Sequence, residues 1–157
     1  MLHKKALLNG FTMVELLMTI TLIAVISAVA TTQYIDYRDD ARRTITEKKL
    51  YEYRDALAGN PELLANGSYI KPGIIIDVRE VPTSLDALVS QGSYSSYDVY
   101  EKRGWRGPYV NSAAANWNVD AWGNPISYDS TSRTLKSCGP DGICGDTFAS
   151  DDITVGF

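Results

Sequence analysis

The 157-residue chain holds a single histidine, at position 3, and only two cysteines, Cys138 and Cys144. So few soft ligands exclude a structural zinc site, and a histidine that close to the start leaves the rest of the chain without histidine-dependent catalysis. Bases are in short supply too: 15 Lys and Arg against 19 Asp and Glu give a formal charge of −4. With no basic stripe interleaved with aromatics, nucleic acid is not an expected partner. No Ser/His/Asp set or glutamate pair stands in a catalytic context, so an enzyme is not expected either. Proline and glycine are missing from Phe11 to Ala58. Charge is missing from Leu16 to Ile35. What remains is 45% hydrophobic and 22% charged, enough apolar material for one modest domain and a long helix, too much for a disordered chain.

Residues 11–30 read FTMVELLMTITLIAVISAVA, with fifteen apolar residues of twenty. As a helix they rise about 30 Å, the thickness of a bilayer's hydrocarbon layer. Lys4 and Lys5 come just before the run, and the positive-inside rule then places the N-terminus in the cytoplasm and the remainder outside it. Three readings fit such a segment. Ala28-Val29-Ala30 has the small-x-small form of a signal-peptide cleavage site. An uncleaved single-pass anchor is the second. The third turns on Glu15, a carboxylate at the mouth of an apolar rod, which is costly there without a partner and points to a function.

Gly10-Phe11-Thr12-Met13-Val14-Glu15-Leu16-Leu17, behind a short basic leader, resembles the processing site of type IV pilins and of the pseudopilins of type II secretion. The resemblance implies cleavage between Gly10 and Phe11 by a prepilin peptidase that also methylates the new amine. It implies that Glu15 pairs with the N-terminal amine of a neighbouring subunit during filament assembly, where a low dielectric makes an unmatched charge expensive. Residues 1–10 are then a leader, 11–35 the transmembrane and assembly half of a helix, and 36–157 a soluble domain.

From Tyr34 onward, Tyr34, Tyr37, Ala41, Ile45, Tyr53 and Leu57 recur at helical spacing, with Leu50 at the stripe's edge. Six acids and six bases between Asp36 and Asp55 form a charge belt, in which Asp39–Arg43 and Lys48–Glu52 stand at i,i+4. Gly59 and Pro61 end the helix. Residues 61–80 are loop-rich, with Ile74–Val78 as a candidate strand. A short helix is predicted over 82–89, capped by Thr83 or Ser84 and turning Leu85, Leu88 and Val89 inward. Residues 90–103, with Tyr94, Tyr97 and Tyr100, form a polar surface loop. Strands are predicted at Ile126–Tyr128, Thr134–Ser137 and Ile153–Val155. The fold class is α+β: a long N-terminal α-helix, membrane-spanning in its first half, packed on a small C-terminal antiparallel β-sheet.

Pro82-Thr83, Trp105-Arg106-Gly107-Pro108-Tyr109, Asp120-Ala121-Trp122-Gly123-Asn124-Pro125-Ile126-Ser127-Tyr128, Gly139-Pro140-Asp141-Gly142 and Asp152-Ile153 occur in that order. The ordered set is similar to the major pseudopilin of type II secretion more than to a fibre-forming pilus subunit. It implies a helical homo-oligomeric filament in the bacterial inner membrane, with the soluble domain in the periplasm. The implied partners are minor pseudopilins, the inner-membrane assembly platform and an outer-membrane secretin. The alternative is a type IV pilus subunit serving adhesion, motility or DNA uptake. Two departures stand out: the cysteines around a loop that is usually cysteine-free, which leave open a minor or specialised pseudopilin or a pilin of another system, and Ser150 where the family commonly has an acid.

The resemblance also implies a structural calcium ion in the acidic C-terminal loop. Asp141 and Asp152 match the family's carboxylates, Asp151 and Ser137 are plausible additions, and Leu135 and Val155 can offer carbonyls. Asp146 is a weaker candidate. Calcium takes six to eight hard oxygens, and four aspartates with no base from residue 141 onward would repel one another without it. In an exported domain Cys138 and Cys144 are expected to form a disulfide, whose seven-residue loop contributes about 2.4 kcal/mol by chain entropy.

Overall fold

The structure, a computed structural model, describes residues 10–113, 116–145 and 151–157. Leader residues 1–9, Asp146 and Ser150 lie outside the described residues. Helix α1 runs Met13–Ala58, and the chain divides between Asp40 and Ala41 into two units.

Among its described residues the first unit is helical from Met13 onward. Every described side chain from Phe11 to Thr31 is exposed, and an 18-residue window of α1 reaches a mean hydropathy of 2.3. By length and composition this segment can cross a membrane. An apolar surface with no protein cover is what a lipid-facing or helix-facing rod presents.

In the second unit α1 becomes amphipathic. Thr46, Leu50, Tyr53, Ala56 and Leu57 are buried on one stripe, while Arg43 on the outer side pairs with Glu47 at 3.2 Å. The buried stripe is shorter than the periodicity predicts: Tyr34, Tyr37 and Ile45 are exposed. Spacing marks a face, but only packing partners bury it, and burial on α1 begins in earnest at Thr46. Gly59, at φ +89°, ends the helix with its N–H on the Asp55 carbonyl at 2.8 Å.

Two elements differ from expectation. Residues 61–80 contain a small hairpin, β1 (Leu64–Ala65) and β2 (Ser68–Tyr69), turned by Asn66-Gly67 at positive φ. The candidate strand Ile74–Val78 is instead a single helical turn, α2. A strand would set Ile74, Ile76 and Val78 on one face; the helix buries Ile74, Asp77 and Val78 together and leaves Ile76 37% exposed. Arg79, in the left-handed region, closes the turn through its N–H to the Ile75 carbonyl. Tertiary anchoring overrides the β preference of four branched residues: Arg106 donates to Asp77 from Nε at 3.2 Å and Nη2 at 3.0 Å, and Tyr109 Oη donates at 2.8 Å.

The predicted short helix is a 3-10 turn, Leu85–Leu88, with Ser84 Oγ accepting from the Asp86 N–H at 3.1 Å. Leu85 and Leu88 are buried and Val89 half-buried. The three loop tyrosines have different surroundings: Tyr94 packs against the core, the Arg106 guanidinium sits 4.8 Å above the Tyr97 ring, and Tyr100 is 97% exposed. The sheet is antiparallel, ordered β3 (Ser127–Asp129), β4 (Thr134–Ser137), β5 (Ile153–Gly156). Leu135 faces Val155 and Ser137 faces Ile153 in the register, all four buried, so that the inner face of β4–β5 meets the α1 stripe in one core.

Two predictions follow from this packing. Arg106→Met leaves the buried Asp77 carboxylate with Tyr109 alone and is expected to cost about 2–3 kcal/mol in denaturant unfolding, with Arg106→Lys recovering part of it. Burial, aided by Glu52, pushes the Tyr53 hydroxyl up to about 12, and burial with Tyr94 and Asp129 does the same for Tyr128. Burial, reinforced by Asp77, also raises Tyr109. The fold therefore holds these groups protonated, and the stability this contributes is complete below the unfolded value of about 10 and lost as pH rises through the folded values. The melting temperature should fall steeply above that pH, with phenolate absorbance from these tyrosines appearing only as the protein unfolds.

Candidate functional site

Two regions carry the residues singled out by the sequence. The first is the start of α1. Gly10 and Phe11 are exposed, Phe11 by 76%. Glu15 has a local partner that spacing alone makes legible: Thr12-Met13-Val14-Glu15 forms a capping box. Thr12 Oγ1 accepts from the Glu15 N–H at 3.2 Å, and Glu15 Oε2 accepts from the Thr12 N–H at 3.5 Å and its hydroxyl at 3.4 Å. The bonds to the carboxylate are long and the side chain remains exposed, so its charge is oriented by Thr12 rather than neutralised.

The second region is the loop between β4 and β5. It is organised from a buried carboxylate that the sequence did not single out. Asp120, 6% exposed, accepts from the N–H groups of Trp122 at 2.9 Å and Asn124 at 2.8 Å through Oδ1, and from Ser137 Oγ at 2.6 Å through Oδ2. The helix fixes this turn in place: Thr46 Oγ1 accepts from the Ala121 N–H at 3.1 Å, and Lys49 Nζ donates to the carbonyls of Val119 at 2.6 Å and Asn116 at 3.1 Å. Tyr53 Oη donates to the Trp117 carbonyl beside it. Burial lowers the Lys49 pKa, a pull that Asp120 and Glu52 oppose. Asn124 passes the order on, donating from Nδ2 to the Gly139 carbonyl at 2.8 Å. A threonine inside a charged helix and the Asp-x-x-x-Asn spacing were the available signals.

Cys138 and Cys144 are joined in a disulfide, Cα atoms 4.6 Å apart. The loop it closes lies against the acidic residues of the tail. Gly139 is at φ +64°, and a Cβ there would come within 2.9 Å of the Asp151 carbonyl oxygen and 3.2 Å of its carboxyl carbon. Just beyond the ring, the Gly145 N–H donates to Asp152 Oδ2 at 2.9 Å, and Lys136 Nζ approaches the same oxygen at 3.7 Å.

The residues expected to hold calcium are only partly brought together. Asp151 and Asp152 each keep one carboxylate oxygen, Oδ1, buried and without a hydrogen-bond partner, and the Asp152 side chain is 7% exposed. Two bare anionic oxygens out of contact with water are costly, and a hard cation is a group that could satisfy them. In that respect the residues fit the ion. Leu135 and Val155 are register partners with buried side chains, leaving only their carbonyls to offer. The Ser137 hydroxyl is committed to Asp120. Asp141 is exposed and caps its own turn, accepting from the Ile143 N–H at 2.8 Å. Among the described residues no three His, Cys, Asp or Glu side chains converge, so any ion here relies on two carboxylates, main-chain oxygens and water.

No curated protein and no solved structure matches the chain. Residues 74–156, which include the Asp77 anchor, the Asp120 turn, the disulfide and the β3–β5 sheet, match the model of the family described as type II secretion system (T2SS), protein G. That match covers more than half of the sequence and begins well after the apolar helix, so it stands independently of the leader motif. The chain is a pseudopilin of the type II secretion system protein G family.

Proposed function

We propose that the protein is made as a prepilin in the bacterial inner membrane, cleaved after Gly10, methylated on Phe11 and polymerised into a periplasmic pseudopilus that moves proteins across the outer membrane. The observation that carries this reading is the unbroken exposure of Phe11–Thr31 on a chain whose folded portion belongs to a secretion-subunit family. A helix with no internal cover finds it either in lipid or against identical helices, and the two alternatives define a monomer in the membrane and a subunit in a filament. Contacts between such subunits repeat head to tail and do not close. Glu15 gives assembly its register: Thr12 holds the carboxylate only through long bonds, and a neighbour's freed amine offers a full opposite charge in a low-dielectric bundle. The prepilin peptidase, minor pseudopilins, assembly platform and secretin are the partners this reading requires.

The acidic tail is read as a structural calcium site. Asp151 and Asp152 would hold the ion through their bare oxygens, with the carbonyls of Leu135, Ser137 and Val155 and water available to complete the shell. Asp141, exposed on the cystine loop, is the weakest member of the expected set. The bound ion would supply charge neutralisation and no reaction chemistry. Sites of this kind in extracytoplasmic modules work at about 0.1–1 mM calcium.

Mass spectrometry of protein from its own membrane should find a 147-residue chain starting at N-methylated Phe11; a start at Thr31 would identify a cleaved signal peptide instead. Glu15→Leu should insert in the membrane as the unsubstituted protein does, yet yield few or no filaments by electron microscopy. In detergent micelles, calcium at ten times its dissociation constant should stabilise the fold by about 1.4 kcal/mol, and Asp152→Asn should abolish that gain while leaving the chelator-treated melting temperature equal or higher.

A further inference from the structure

The disulfide has no obvious work to do in holding the sheet, since β4 and β5 are already in register from Thr134↔Gly156 to Ser137↔Ile153. Its position relative to the two bare carboxylates is more telling. Cys138 follows the last residue of β4, and Cys144 precedes Gly145, whose N–H holds Asp152 Oδ2. Between them Gly139 abuts Asp151 so closely that a methyl group would collide with its carbonyl oxygen. The cystine thus fixes the separation between the contact to Asp151 and the contact to Asp152, each made by a glycine immediately beside a half-cystine.

We propose that the Cys138–Cys144 disulfide is a positioning element for cation binding, holding Gly139 against Asp151 and Gly145 against Asp152 so that the Oδ1 atoms of both carboxylates stay buried and bare. The proposal rests on the calcium reading of the same loop. Without the cross-link, the glycine-rich segment has little apolar burial to keep it in place, since Pro140 is exposed and Ile143 is 58% exposed. Its remaining anchors are the Asn124 bond to the Gly139 carbonyl and a 3.4 Å contact from the Gly139 N–H to Ser137 Oγ. A freed loop lets the carboxylates rotate toward water, and binding then has to re-order them, which lowers affinity without removing a ligand. The other charges nearby are Lys136, which approaches Asp152 Oδ2 at 3.7 Å, and Asp141, exposed and capping its own turn.

Linkage makes the proposal measurable in both directions. If closing the disulfide tightens calcium binding tenfold, calcium must favour the closed disulfide tenfold. The full chain in detergent micelles is titrated with calcium by calorimetry, oxidised and as the Cys138→Ser/Cys144→Ser double variant; the dissociation constant should rise at least tenfold in the variant. In parallel the unsubstituted protein is equilibrated in glutathione buffers, two glutathione thiols reducing the cystine to two cysteines and leaving as glutathione disulfide. With calcium in place of chelator the reduction potential should move about 30 mV more negative, the two-electron equivalent of tenfold. This second measurement stands even if the serine variant does not fold. Absence of calcium heat in the oxidised protein overturns the calcium reading and this inference together. Calcium binding that is equally tight with and without the cross-link, or a potential indifferent to calcium, overturns the inference alone.

Discussion

A buried carboxylate with three donors organises the second unit. Asp120 receives two main-chain N–H groups and the Ser137 hydroxyl. In a medium of low dielectric an anion so supplied is rigid, since losing any donor exposes the full desolvation cost of the charge. The rigidity is shared outward. Thr46 and Lys49 fasten the Asp120 turn to α1, and Asn124 fastens it to the cystine loop. Helix, turn and loop are thereby held by one polar network rather than by strand pairing, which here amounts to three short strands.

Such a small sheet needs reinforcement. Strands of three and four residues bury little apolar surface, and domains short of core commonly add a disulfide or a metal. This chain places its disulfide beside the acids of the tail, at the junction of β4 and β5. The acids there are destabilising by themselves, and Asp151 and Asp152 remain half-satisfied in the protein alone.

The same separation of tasks runs along α1. Its described side chains from Phe11 to Thr31 are exposed on a segment long and apolar enough to cross a membrane; its last part supplies Leu50, Tyr53 and Leu57 to the core. The charge that marks the start of the apolar run, Glu15, is held by Thr12 in a way a local pattern predicts, whereas the sequence pointed only to a partner in a neighbouring subunit. A capping box satisfies backbone donors and leaves most of the carboxylate's charge unneutralised, so the two descriptions are compatible.

Hydrophobic periodicity, breaker residues and turn chemistry set α1 as far as its stop at Gly59, a short helical turn after Thr83 or Ser84, and the three strands of the sheet, because each of these depends on neighbours in the chain. The cysteine pair was equally legible, being close in sequence and alone. Only tertiary structure decided that Ile74–Val78 is helical, since the answer lay with Arg106 and Tyr109 reaching Asp77 from some thirty residues away. It alone decided that burial on α1 starts at Thr46, and that Asp151 and Asp152, rather than Asp141, are left with bare buried oxygens. Local propensity is written residue by residue, whereas the environment of a charge is made by elements that meet only when the chain has folded.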